Sequence, residues 1–292
     1  MTQVAGESPA PAIPARAGSA VADALTVFAW MLAFVGFEWL RYKIAMLNSP
    51  VRASDLLNAV SVLEVIEIAL IARMSDRSAR RSAIGAFEAS TMLAGAALFL
   101  LVVNQKPLLS ALILSSFTLW RFARFPSLRN AAIGQFAFAS QFVLLGWPFL
   151  IVHNAVGRLD AAVVRAGFRA FGQDASGYGT YLFRPSQHLG FDIMWGCASS
   201  TAMVPNAIGF VIITLGLRGR LLRSDVVGLL LILAASLALN WLRLLLICWS
   251  RDGYLFWHEG LGVTVFAALY ALLVVSVAHA AARGTFTNPH TL

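Results

Sequence analysis

The sequence is poor in charge, in lysine and in cysteine, and each shortage excludes something. Only 12% of its 292 residues are Asp, Glu, Lys or Arg, about half the share of a soluble globular chain. With 59% hydrophobic residues and a mean hydropathy of +0.75, no water-soluble fold hides the apolar surface, and the chain reads as an integral membrane protein. Lysine occurs twice, at Lys43 and Lys106, so arginine carries nearly all of the basic charge behind the formal net +8. On a soluble domain that balance would suggest nucleic acid. Here the arginines fall in short segments between apolar runs, where they report topology. Two cysteines, Cys197 and Cys248, give no disulfide framework. There is no internal repeat, glycine-rich nucleotide loop or nucleic-acid motif. Neither a nucleic-acid partner nor a cofactor is expected.

What the chain does have is apolar runs of membrane length. A bilayer core takes about 20 apolar residues per helix. Eight runs qualify, near 23–41, 55–73, 83–103, 107–121, 131–153, 197–217, 225–248 and 260–281. The predicted fold is all-α: a polytopic membrane helical bundle with about eight transmembrane helices and one long outer loop carrying an amphipathic helix. Residues 1–20, rich in Ala, Pro, Gly and Ser, read as a disordered tail. Residues 21–284 form one transmembrane domain, and 285–292 a short C-terminal tail. The first apolar run ends in GFEWLRYK without a small-residue cleavage pattern, so it is expected to stay as an anchor. The arginine-rich segments 73–81, 121–129 and 218–223 are predicted to be loops on one side. The positive-inside rule makes that side cytoplasmic.

The segment 154–196 is then the main outer loop. Within it, VGRLDAAVVRAGFRAF places Val164, Phe168 and Phe171 on one helical face and Arg158, Arg165 and Arg169 on another. That pattern predicts an amphipathic helix over 156–171 lying on the outer leaflet. A strand-like run, SGYGTYLF, follows.

Three polar residues fall at the outer ends of the last three runs. Cys197 opens the run at 197–217. A helix N-terminus favours an anion and lowers a thiol's pKa, although cysteine also packs as a small hydrophobe. Arg243 lies five residues before Cys248 in LALNWLRLLLICWS, with Asn240 three residues earlier on the same face. An ionisable residue at that depth is a functional candidate, or a side chain that snorkels to the headgroups. His258, beside Glu259, opens the last run. It reads as a proton-exchanging group or as an ordinary interfacial residue. Consecutive helices pack as neighbours, so a thiol, an imidazole and a guanidinium can converge. They are the groups that cysteine acyl transfer requires.

Elsewhere, Glu64 and Glu67 share a face of the second run, and Glu64 sits at a depth that matches Arg243. His188 and Asp192 are loop residues. A zinc set of Cys197, Cys248, His258 and His188 lacks any close-spaced ligand pair, and no metal is expected.

WGCASS around Cys197, NWLR ending in Arg243 and HEGLGVTVF from His258 to beyond Gly262 resemble, in order, spacing and position, the Cys, Asn-x-x-Arg and His-x-x-x-Gly elements of the exosortase/archaeosortase family. The resemblance is strongest over 170–282 and implies a catalytic unit at 197–282. Members commonly follow the cysteine with Ser-Gly, whereas Ala198 and Ser199 follow here.

The resemblance implies a membrane cysteine protease or transpeptidase. Such enzymes act on membrane-tethered substrate proteins bearing a C-terminal sorting signal. Cys197 would be the nucleophile, His258 the general acid and base, and Arg243 the charge stabiliser. Asn240, Glu259 and Gly262 would support them. The setting would be a bacterial inner membrane, with the site facing the periplasm and an envelope molecule as a possible acceptor. A transporter, or a non-catalytic assembly factor in envelope polysaccharide export, is the alternative.

Overall fold

The structure is a computed structural model, and it describes residues 62–81, 126–145, 150–194 and 197–284, with the single positions 86, 90 and 116. The predicted span near 23–41 and both predicted tails lie outside the described residues, and of the spans near 83–103 and 107–121 only positions 86, 90 and 116 are described.

The described chain is mostly helical. Helix α1 (Val62–Arg81) is followed by α2 (Pro126–Leu144) and α3 (Leu150–Ala170). A two-stranded antiparallel hairpin, β1 (Tyr181–Arg184) and β2 (Leu189–Asp192), comes next. Three long helices follow: α4 (Ser199–Arg218), α5 (Asp225–Ile247) and, after a short helix α6 (Arg251–Tyr254) and one π-helical turn (Leu255–Glu259), α7 (Leu261–Ala282).

Helices α4, α5 and α7 are long and apolar enough to cross a membrane. Their 20, 23 and 22 residues, at about 1.5 Å per residue, span a hydrocarbon core. All three start and stop within two residues of the predicted runs. Helix α4 is the hub, packing against α1, α2, α5 and α7. Its Phe210, Ile212, Ile213 and Leu215 are buried. By contrast, α5 and α7 turn large apolar side chains such as Leu230, Leu242, Leu261 and Leu272 outward, as a lipid-facing surface requires. Only Gly, at φ +79°, ends α4 comfortably: Gly219 takes the left-handed conformation and donates its N–H to Leu215. The chain then turns on an Arg218–Asp225 ion pair. Arg218 also donates to the Ala281 carbonyl at 3.0 Å, so one arginine ties this end of all three helices.

Three expectations are corrected. The segment 73–81 is not a loop, because α1 continues as helix to Arg81. A single span at 131–153 is not formed either: α2 ends at Leu144 and a separate helix begins at Leu150. The first part of the expected outer loop, 154–170, is the body of that helix. Nor does the amphipathic segment keep its apolar face for a leaflet. Val164 and Phe168 are fully buried in a cluster with Leu182, Leu244 and Ile247, and only Phe171, 65% exposed, projects. The physical reason is a better partner than lipid. Gly167 lets α3 come so close to α5 that a Cβ there would lie 3.0 Å from Leu245.

Candidate active site

Cys197 lies between β2 and α4. Its N–H donates to the Met194 carbonyl at 2.9 Å, as does that of Ala198 at 3.2 Å, which folds the strand exit into a tight turn. Ala198, extended and fully buried, is the N-cap of α4 and has no side chain to cap it. The cap comes from another helix. Asp160 of α3, with no exposed surface, accepts the Ser199 N–H and the Ser199 hydroxyl, each at 2.7 Å. It also accepts the Trp241 indole N–H at 2.8 Å. A carboxylate at a helix N-terminus is favoured by the free N–H groups and the macrodipole.

Asn240 of α5 completes the cradle. Its amide donates to the Cys197 carbonyl and the Ser199 hydroxyl, both at 3.1 Å. One residue further, Ser200 Oγ sits 2.7 Å from His153 Nδ1, while His153 Nε2 lies 3.0 Å from the Leu144 carbonyl. The backbone on either side of the sulfur is therefore held by side chains of α3 and α5.

The partner of the sulfur arrives from the far side of the sequence. His258 is the fourth residue of the π-helical turn before α7, and its Nε2 lies 3.5 Å from Cys197 Sγ. The ring stacks on Tyr254, centroids 4.7 Å apart and planes at 12°. Its Nδ1 is buried, with no hydrogen-bond partner among the described residues, so stacking orients the imidazole. The exposed Glu259 acts on Tyr254, and its charge favours the imidazolium of His258. Gly262 fixes the turn from below, since a Cβ there would meet Trp257 at 2.5 Å.

Arg243 is half-buried on α5. Its Nε has no hydrogen-bond partner among the described residues, and its charge acts on both Cys197 and His258.

The lowered thiol pKa expected from a helix N-terminus is not found. Burial raises the Cys197 pKa above its ordinary value, and Arg243 opposes this only in part. Burial is the cause, and the Ser199 N–H at the start of α4 is taken by Asp160. His258 is shifted the other way, lowered by burial and then by Arg243, with Glu259 opposing. Both shifts favour the neutral forms, a thiol beside an imidazole.

A cavity of about 510 Å³ opens over the sulfur. Six consecutive residues, 189–194, form one wall, and Cys248, Arg251 and Tyr254 stand on another. Cys248, although at the end of α5 and in the same cavity, is 1% exposed and its thiol is pushed up to about 12, mainly by burial.

Cys197, Arg243 and His258 thus come together, with Asn240, Glu259 and Gly262 around them. Glu67 is not part of this group: it is buried in α1, its carboxylate facing Gly209 of α4. His188 stands exposed at the hairpin turn, in the left-handed conformation, and Asp192 accepts from Thr180 at 2.7 Å. Among the described residues there is no group of three His, Cys, Asp or Glu side chains able to hold a metal ion.

Sequence reasoning missed Asp160, His153, Tyr254 and Arg184. The last is fully buried, donates to the Trp249 carbonyl and, at 2.9 Å, to Gln173, and lies 4.4 Å from the Phe168 ring centroid. It bolts the hairpin to the end of α5. In the sequence it is only an arginine directly after the strand-like run, and charged residues are ordinarily exposed. Comparison with family models, with curated proteins and with solved structures returns no match to this chain.

Proposed function

We propose that the chain is a membrane-embedded cysteine peptidase or transpeptidase. In this reading it cleaves C-terminal sorting signals of exported proteins at the outer face of a bacterial inner membrane, through a thioester acyl-enzyme. The eight-span topology, with Cys197 facing the periplasm, belongs to the same proposal. The observation that carries it is the 3.5 Å approach of Cys197 Sγ to His258 Nε2 in a cavity lined by β2 and the end of α5.

The chemistry follows from the neutral pair. Neutral His258 accepts the thiol proton through Nε2 as Sγ bonds to the scissile carbonyl carbon. The oxyanion forms in the field of Arg243. The imidazolium then gives the proton to the leaving amide nitrogen as the C–N bond breaks. Water, or an amine or hydroxyl of an envelope acceptor, attacks the thioester. His258 takes the incoming proton and returns it to sulfur as the S–C bond breaks. A substrate anchored in the same bilayer meets the site at high effective concentration.

The test is a membrane-anchored reporter cleaved in proteoliposomes, with acyl-enzyme trapped on Cys197 by hydroxylamine release. Cleavage that disappears in Cys197→Ser and His258→Ala, while the proteins stay folded, supports the reading. Turnover that survives both substitutions rejects it, and a reporter left intact by the wild-type chain rejects it in favour of a transporter or an assembly factor.

A further inference from the structure

The hairpin leaves one strand edge open, and the hydrogen-bond pattern says which. Phe183 of β1 exchanges both backbone bonds with Ser176 at 2.9 Å, so its N–H and C=O point away from β2. In an antiparallel ladder the direction alternates along each strand. The register pairs Leu182 with Phe191 and Phe183 with Gly190. Phe191 therefore faces β1 and Gly190 faces outward. Ile193 donates to the Thr180 carbonyl at 3.0 Å, so Asp192 also faces outward. The outer edge of β2 thus presents the Gly190 N–H, the Gly190 C=O and the Asp192 N–H. The Asp192 C=O accepts from Met194.

That edge borders the nucleophile's cavity. A strand touching a cavity with one face contributes alternate residues. Here residues 189–194 contribute without a gap. Gly190 has no side chain to cover the edge, and a Cβ there would meet the Tyr181 hydroxyl at 2.3 Å. Open strand edges are ordinarily blunted, because they pair with other chains.

We infer that the outer edge of β2 is the docking rail for the substrate: an extended polypeptide segment adds beside Gly190–Asp192 as a third strand and runs its scissile carbonyl to Cys197. This deepens the peptidase reading and rests on it for the identity of the occupant. Outward donors and acceptors two residues apart match the backbone of an extended peptide. A lipid headgroup offers no such alternation. Recognition of this kind is tolerant of side chains, and specificity falls to the cavity wall at Arg251 and Tyr254.

The experiment is amide hydrogen exchange on the full Cys197→Ala chain in nanodiscs, with N-acetyl-Thr-Val-Thr-Val-Thr-Val-amide as probe. Exchange at Gly190 and Asp192 is expected to slow at least about tenfold at saturation, as for a newly protected amide. Phe191, already paired with Leu182, is expected not to change. N-methylation of the probe, one amide at a time, should weaken the effect at every second position. No slowing up to the solubility limit, slowing without that alternation, or slowing by lipid alone overturns the rail. Reporter cleavage by the wild-type chain is followed in parallel. Cleavage without edge protection sinks the rail alone, and protection without cleavage sinks the peptidase reading alone.

Discussion

The two cysteine-bearing helix ends look alike in sequence and differ in chemistry. Cys197 precedes α4 and Cys248 caps α5, both at the same end of the bundle and both on one cavity. Cys197 is half-buried and faces an imidazole at 3.5 Å. Cys248 is sealed under the Arg184 clamp, whose guanidinium donates to the adjacent Trp249 carbonyl, and its thiol is pushed up to about 12. Position at a helix end therefore does not decide what a thiol faces. Its neighbours do: an imidazole for Cys197 and a guanidinium clamp for Cys248.

The sharpest way to break that comparison is to remove one sulfur at a time. Cys197→Ser is expected to lower reporter cleavage by roughly a thousandfold or more, the scale of losing a nucleophile. His258→Ala is expected to cost about 10²–10⁴-fold, the range for a general base. If His258→Ala leaves cleavage intact, the imidazole is a neighbour of the sulfur and nothing more.

The next effect is on pH. With the Cys197 pKa raised and the His258 pKa lowered, the active form (neutral thiol, neutral imidazole) spans a wide window. The acid limb of kcat/KM should fall below the ordinary histidine value, and the alkaline limb above the ordinary thiol value. Arg243 lowers both groups. Its removal in Arg243→Met should move both limbs to higher pH, since a lost positive charge makes each proton harder to remove. The kcat/KM profile in proteoliposomes reads both limbs. A thiol that titrates well below its ordinary value would instead show a thiolate–imidazolium pair at rest.

Asp160 sets the third contrast, because a carboxylate holds the backbone beside Cys197, whereas a guanidinium, that of Arg184, holds the backbone at Cys248. Asp160→Ala leaves the Ser199 N–H, the Ser199 hydroxyl and the Trp241 N–H without their acceptor. One such orphan costs about 1–3 kcal/mol when buried. A positioning residue predicts kcat lower by about 10- to 100-fold with KM little changed. It also predicts partial rescue by Asp160→Asn, which keeps an acceptor oxygen. Equal loss in both variants, tracking melting temperature, would make Asp160 only a fold residue.

Asp160 also marks where the sequence stopped being readable. The three membrane-length helices were legible because a run of apolar residues has one good solution in a bilayer. The grouping of Cys197, Arg243 and His258 was legible because consecutive helices pack side by side. Asp160 was not, since the carboxylate sits 39 residues from Ser199, in a segment read as an arginine-faced surface helix. Its acidic side chain carries no periodic signal, and only the approach of α3 to α5 turns it inward. The same approach explains the misplaced leaflet helix: Val164 and Phe168 read as one apolar face, but sequence does not say whether lipid or Leu244 will cover it. In the opposite direction, α1 runs on through RMSDRSARR because helix continuity there tolerates a charged stretch that hydropathy alone assigns to a loop.

The smallest expected effect belongs to Cys248. Serine and cysteine are close in size, and Cys248→Ser places a hydroxyl at a helix C-terminus, where it can donate to the Leu244 carbonyl in the manner of serine on helices. Cleavage should stay within about twofold of wild type, inside the range of a substitution that leaves the reacting groups in place. A membrane-impermeant maleimide should label the single-cysteine chain that keeps Cys197 and leave the one that keeps Cys248 unlabelled until denaturant opens the Arg184 clamp. Rapid labelling of native Cys248 would mean that this helix end is open on the same timescale as the other. The difference between the two cysteines would then rest on His258 alone, and not on burial.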